Sequence, residues 1–317
     1  MAMVPKEITN TILSAHDIVI SGHINGDGDS IGSCFAMAHA LKSMGKNPMV
    51  LLEDYPSKYT ILPGFDFVNK SKNLKPDLFI ALDCGEESRL GKAVNLFRNS
   101  PNIVIDHHVN EGYGDHNFIN TNASSTCEIV YEVLMALGVE IDANIAFCLY
   151  AGIVTDTGGF RFKSTSPKTM EITGQLLKQD IPFAFIYERL IYQQTLHQFK
   201  GFLSIIGDFT IVPDINLVYT IATLEKMREL GITRGDLDGV VTMFKRIKEM
   251  DVAVFAYERE NGTTKVSLRS DTINVNEIAQ HFGGGGHKYA SGIDMDSSPK
   301  QSIEQIVEWI RQNIGTN

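Results

Sequence analysis

Residues 17–33, DIVISGHINGDGDSIGS, decide the reading of the fold. Residues 17–22 form a short apolar run closed by glycine, the pattern of a buried strand. A polar loop follows at once, and from about Ser30 to Met44 the apolar residues recur with helical spacing. Strand, polar loop and helix in that order open a parallel α/β unit. In such sheets ligands bind outside the carboxyl ends of the strands, where this loop would lie.

The pattern repeats along the first half of the chain. Residues 48–52, 78–82 and 102–105 are further strand-like runs, each bounded by Gly, Pro, Asn or Asp. Ser125 with Glu128 forms a capping box ahead of the helical run 129–137, and Ser166-Pro167 opens another helix. The fold class expected is α/β, a parallel sheet with helices on both faces. After a helical stretch over 182–205 the pattern changes. Residues 215–222, 251–257 and 263–268 read as strands, with Glu260-Asn261-Gly262 as a hairpin turn between the last two. Helical patterns at about 234–248, 274–281 and 300–313 complete a smaller α+β domain. The expected organisation is a first domain over 1–185, a helical linker over 186–210 and a second domain over 211–317, with a cleft between the domains as the ligand location.

The chain has 317 residues, 43% hydrophobic and 21% charged, and a formal net charge of -10. Residues 191–317 hold 13 Lys and Arg against 16 Asp and Glu. Such a balance offers no electrostatic track for long DNA or RNA, though it permits a small phosphorylated ligand held by metal ions and a few cations. Cys34, Cys84, Cys127 and Cys148 lack CxxC spacing and read as thiols in a reducing compartment. No apolar run reaches the length of a membrane span, and no signal-peptide core is seen at the N-terminus. A cytoplasmic protein without membrane association is expected. No oligomerisation signal stands out, and a homodimer is compatible with the sequence.

Four polar clusters follow apolar runs: His23 to Ser30, Asp83-Cys84-Gly85, Asp106-His107-His108, and Asp156-Thr157-Gly158 after the apolar segment 145–154. Taken singly each has a plain explanation. Asp83 can cap a helix, Asp156 can sit in a turn, and an Asp-Gly pair is usually a turn. At equivalent ends of successive strands they would converge. His and Asp without thiolates suit hard or borderline divalent ions such as Mn²⁺, Mg²⁺, Co²⁺ or Zn²⁺. Two such ions roughly 3.5–4 Å apart can activate water and neutralise a phosphoryl group during in-line displacement. His16, His39, His116 and His197 belong to no cluster. Gly283 to Gly286 before His287 would let backbone N–H groups approach a phosphate, or would form a flexible loop or helix C-cap. Arg269 at a strand end could clamp a phosphate or be a solvated surface group.

On these residues the chain resembles the DHH phosphoesterase family over nearly its whole length. The matching pieces are GHINGDGDSIGS at 22–33, ALDCG at 81–85, DHH at 106–108, TDTG at 155–158, and in the second domain RS at 269–270 and GGGGH at 283–287. Within the family it is most similar to the nanoRNase/pAp-phosphatase group. Asn25-Gly26 departs from the family's usual Asn-Pro, which bears on loop stiffness. The resemblance implies one metal on His23, Asp27 and Asp83, and a second on Asp29, Asp83, His107 and Asp156, with Asp83 bridging. It implies Mn²⁺ as the usual ion, with Mg²⁺ or Co²⁺ as alternatives. It places His108 at the scissile phosphate, Asp106 behind it as an orienting group, and Arg269, Ser270, Gly285, Gly286 and His287 at the substrate.

The activity implied is hydrolysis of short oligoribonucleotides to 5′-mononucleotides together with dephosphorylation of pAp to AMP. A phosphodiesterase for linear dinucleotides such as pApA fits nearly as well. A RecJ-type single-strand exonuclease usually carries further nucleic-acid-binding parts, and the GGGGH loop separates the chain from the pyrophosphatase branch. A non-catalytic nucleotide sensor would be expected to have lost metal ligands, all of which are present here.

Overall fold

The computed structural model describes residues 4–68, 74–237 and 239–314. The chain divides into two compact units, Met1–Gln193 and Gln194–Asn317.

The first unit runs α1 (Lys6–Ser14), β1 (Asp17–Ser21), α2 (Gly28–Ser43), β2 (Asn47–Leu51), β3 (Leu78–Leu82), α3 (Val94–Arg98), β4 (Asn102–Asp106), β5 (His116–Ile119), α4 (Thr126–Ala136), α5 (Ala143–Asp156), α6 (Pro167–Leu177) and α7 (Phe183–Tyr187). The five strands form one parallel sheet in the order β2-β1-β3-β4-β5. Alternation along each strand supplies two cores. Ile18, Ile20, Leu78, Ile80, Leu82, Ile103 and Ile105 join the core beneath α2, α4 and α5. Val19, Phe79, Ala81 and Val104 face the other way, against Leu90 and Phe97. Burial on both faces is why the strands read as continuous apolar runs.

Helix α2 begins two residues before the expected Ser30, because the Asp27 side chain caps it, accepting from the N–H groups of Asp29 and Ser30 at 3.1 Å. The segment 145–154 lies within α5, so the fourth polar cluster follows a helix and not a strand. An apolar run of this length suits a buried helix as well as a strand; here the Asp142 carboxylate caps it by accepting from Ile145 N at 2.8 Å. Only half of the expected capping box at α4 forms. Ser125 Oγ accepts from Glu128 N at 3.1 Å, while the Glu128 carboxylate turns to Ser124 and Thr169.

The second unit contains α8 (Leu196–Gly207), β6 (Thr210–Val212), β7 (Leu217–Ala222), α9 (Leu224–Leu230), α10 (Val240–Phe244), β8 (Val252–Glu258), β9 (Thr264–Ser270), α11 (Val275–His281), β10 (Gly285–His287), β11 (Ala290–Met295) and α12 (Pro299–Asn313). Its mixed sheet has the order β10-β11-β9-β8-β7-β6, with β7 and β8 parallel and the other pairs antiparallel. One face packs on α11 and α12 through Val254, Leu268, Ile278 and Ile306. The other covers Ile205, Met227, Val240 and Phe244. The helical stretch expected over 182–205 is interrupted: α7 continues as one π turn over Glu188–Tyr192, and α8 starts afresh behind its Thr195 cap. Among the described residues no helix is long and apolar enough to cross a membrane. The four cysteines are buried and unbridged.

Candidate metal centre

The site is assembled where the apolar strands of the first unit end. After β1 the chain turns through His23, whose Nδ1 lies 2.8 Å from the carbonyl oxygen of Ile24. With a proton on Nδ1 for that bond, Nε2 keeps its lone pair for the cluster. Asp83 follows β3 directly and has a φ of 55°, in the left-handed region that a non-glycine residue seldom adopts. Asp106 is the last residue of β4, His107 and His108 come next, and Asp156 is the last residue of α5.

These side chains meet. His23 Nε2 lies 3.9 Å from Asp27 Oδ1 and 3.7 Å from Asp83 Oδ2. His107 Nε2 lies 3.4 Å from Asp156 Oδ2, 3.6 Å from Asp83 Oδ1 and 3.9 Å from Asp29 Oδ2. The distances are too long for hydrogen bonds. Two donors each about 2.1 Å from a common ion stand roughly 3–4 Å apart, and these pairs have that spacing. Asp83 turns one oxygen toward His23 and the other toward His107, the arrangement needed for one carboxylate to serve two ions. His23, Asp27 and Asp83 form one group with ligand atoms within 4.8 Å of one another; Asp29, His107 and Asp156 form a second, and Asp83, His107 and His108 a third.

Electrostatics favours a cation in this place. Asp29 and Asp83 are each 1% exposed. Burial, reinforced by the neighbouring carboxylates Asp83, Asp156 and Asp27, holds the Asp29 carboxyl well above its usual range. Burial and then Asp27 push up Asp83, and burial with Asp83 and Asp27 pushes Asp156 up to about 7. Asp156 also faces the negative end of the α5 dipole. Divalent ions would offset all of these penalties at once, and a donor set of imidazole and carboxylate fits them.

Asp106 stands apart from the ligand groups. It is fully buried, and its Oδ1 accepts from His107 N at 2.8 Å, His108 N at 3.2 Å and His108 Nδ1 at 2.8 Å, while Oδ2 accepts from Asn110 Nδ2 at 2.8 Å. Burial raises its pKa, but the bonds from His108 outweigh that and leave it below the usual range. The same hydrogen bond, against burial, raises His108 to about 9. The His108 side chain is 43% exposed. It is held by Nδ1, and Nε2 has no partner among the described residues.

In the second unit, Arg269 lies near the end of β9, with Nη1 donating to Leu268 O at 2.9 Å. It has no carboxylate partner among the described residues, and burial lowers its pKa. Ser270 is 2% exposed, and its Oγ accepts from Thr272 N and Ile273 N, so it shapes the turn after Arg269. The glycine run divides its work. Gly283, with φ of 75°, ends α11, and Gly284 N donates back to Ala279 O at 2.8 Å. Gly285, Gly286 and His287 form β10, an exposed strand that ends the sheet. The expected glycine loop is thus a helix stop followed by an edge strand, with one edge of that strand unpaired within the sheet.

Sequence reasoning missed Thr126, Cys127 and Asn110. Thr126 donates to both Asp29 and Asp83, Cys127 N donates to Asp29, and Asn110 braces Asp106. The hydroxyl run Ser124-Ser125-Thr126 is the one visible signal for Thr126 and Cys127, and it resembles an ordinary helix cap.

Parallel strands ending in a buried carboxylate–imidazole cluster, on a chain with a separate mixed-sheet unit, define a class of α/β proteins suited to divalent ions at the carboxyl edge of the sheet. The model of the DHH family, N-terminal domain, matches residues 17–153, and that of the DHHA1 domain matches residues 214–316. A protein of Thermus thermophilus named bifunctional oligoribonuclease and PAP phosphatase NrnA is 30% identical over 94% of this chain and 90% of its own length. One of the same name from Bacillus subtilis is 28% identical over 92% and 93%. The crystal structure of an exopolyphosphatase-related protein from Bacteroides fragilis superposes with a TM-score of 0.86 at 26% identity, covering 97% of this chain and 96% of that one. The chain belongs to the DHH family.

Proposed function

We propose that this protein is a two-metal phosphoesterase that hydrolyses short oligoribonucleotides to 5′-mononucleotides and dephosphorylates pAp to AMP. The observation that carries the proposal is the convergence of His23, Asp27, Asp29, Asp83, His107 and Asp156, with Asp83 turned both ways. The Thermus thermophilus and Bacillus subtilis relatives, named for this pair of activities, support it by aligning over nine-tenths or more of this chain.

In this reading His23, Asp27 and Asp83 hold one ion, and Asp29, Asp83, His107 and Asp156 hold the other. Mn²⁺ is the ion proposed. Bound divalent ions would activate a water nucleophile and offset charge on the phosphoryl group. His108, fixed by Asp106 at Nδ1, presents Nε2 to the phosphoryl group as a hydrogen-bond donor or acid. Arg269 supplies a guanidinium free of ion pairs among the described residues for a nucleotide phosphate, and the exposed edge of Gly285, Gly286 and His287 offers backbone groups to the same ligand.

The test is Mn²⁺-dependent hydrolysis of pAp, pApA, a five-nucleotide RNA, a long single-stranded DNA and pyrophosphate, with Asp83→Asn as control. Rapid turnover of pAp and the short RNAs, lost in the variant, is expected. Preference for the long DNA or for pyrophosphate would refute the substrate assignment while sparing the metal centre.

A further inference from the structure

Thr126 is the first residue of α4 and is fully buried. Its Oγ1 donates to Asp83 Oδ1 at 3.0 Å, and its backbone N–H donates to Asp29 Oδ2 at 2.6 Å. The next N–H, of Cys127, donates to Asp29 Oδ1 at 2.8 Å. Asp83 arrives from the end of β3 and Asp29 from the start of α2, so one residue fastens carboxylates from two separate elements. The helix does not need this hydroxyl for its own start, because Ser125 Oγ already accepts from Glu128 N.

The contacts are one-sided. The two oxygens that Thr126 touches are those facing His107, at 3.6 Å from Asp83 Oδ1 and 3.9 Å from Asp29 Oδ2. The oxygen of Asp83 that faces His23 is Oδ2, which Thr126 does not touch. Buried like charges repel and would splay apart unless donors fix them, and hydrogen-bond donors behind metal ligands set ligand orientation.

We infer that Thr126 is a positioning residue that fixes the spacing of Asp83 and Asp29 and so sets the affinity of the ion site on the His107 side, leaving the His23 side little changed. This inference rests on the metal-centre reading above. The Thr126 hydroxyl holds Asp83 Oδ1 in place before an ion arrives, and without it that oxygen loses the donor that sets it beside Asp29 Oδ2, on the side facing His107.

The experiment is calorimetric titration of chelator-stripped full-length protein with Mn²⁺, for the unsubstituted chain and for Thr126→Val, Thr126→Ala and Thr126→Ser. Melting curves in chelator verify that each variant is folded. In the Val and Ala variants one of two binding steps is expected to weaken by about 10- to 100-fold, with the other step retained. The Ser variant, which keeps the hydroxyl, is expected to stay close to the unsubstituted chain. Equal binding of two ions by all four proteins overturns the inference alone, as does a Ser variant as weak as Val. An unsubstituted chain that binds no Mn²⁺ overturns the metal-centre reading and the inference with it.

Discussion

At the residue scale the site is a balance of buried charge. Burial and then neighbouring carboxylates push Asp29, Asp83 and Asp156 up, the neighbour of Asp83 being Asp27, whereas Asp106 lies low because it is saturated with donors. That contrast agrees with the proposed ligand roles of the first three and the proposed orienting role of Asp106. His108 takes its role from the same bond. With Nδ1 occupied, Nε2 is the nitrogen open to the proposed substrate, so His108→Ala is expected to keep Mn²⁺ binding while lowering kcat by about 100- to 10,000-fold, the usual worth of a positioned acid. Parallel ion titration and steady-state rates check this, and a variant that loses its ions instead would make His108 a ligand. The aspartates and histidines stand out in the sequence because polar groups directly after apolar runs are conspicuous. Thr126 and Asn110 do not, since Thr and Asn are common in loops and only the folded contacts reveal what they hold.

At the element scale the donors depend on how closely α2 and α5 approach. Gly152 of α5 faces Asp29 and Cys127: a Cβ there would lie 2.9 Å from Asp29 Oδ1 and would overlap Cys127 Sγ. Gly152→Ala is therefore expected to destabilise the first unit by about 1–3 kcal/mol, the usual cost of overpacking, as read from urea unfolding. An unchanged midpoint would mean that the helices separate freely. The short apolar runs around the site illustrate what periodicity can and cannot tell. Residues 78–82 read as a strand and are β3 without adjustment, because they are buried on both faces. Strand β5 escaped notice because Phe118 is its one buried side chain. Strands β10 and β11 are rich in glycine and small residues and carry little apolar alternation. The run 145–154 could be strand or helix by pattern, and length with the Asp142 cap decided for helix.

At the scale of the whole molecule, two units with separate cores carry separate chemistry. The first holds every donor of the carboxylate–imidazole cluster, and the second holds Arg269, without a carboxylate partner among the described residues, and the glycine edge. The change from parallel α/β pattern to α+β pattern was legible along the chain. The break within 182–205 was less so, because the apolar spacing continues through the π turn at Glu188–Tyr192 up to Gln193, where the backbone becomes extended. The central claim is that the cluster holds two ions shared through Asp83. Anomalous diffraction from crystals of the full chain grown with Mn²⁺ tests it most directly. Two peaks are expected, one among His23, Asp27 and Asp83 and one among Asp29, Asp83, His107 and Asp156. A single peak on one side of Asp83, or none at the cluster, would contradict it.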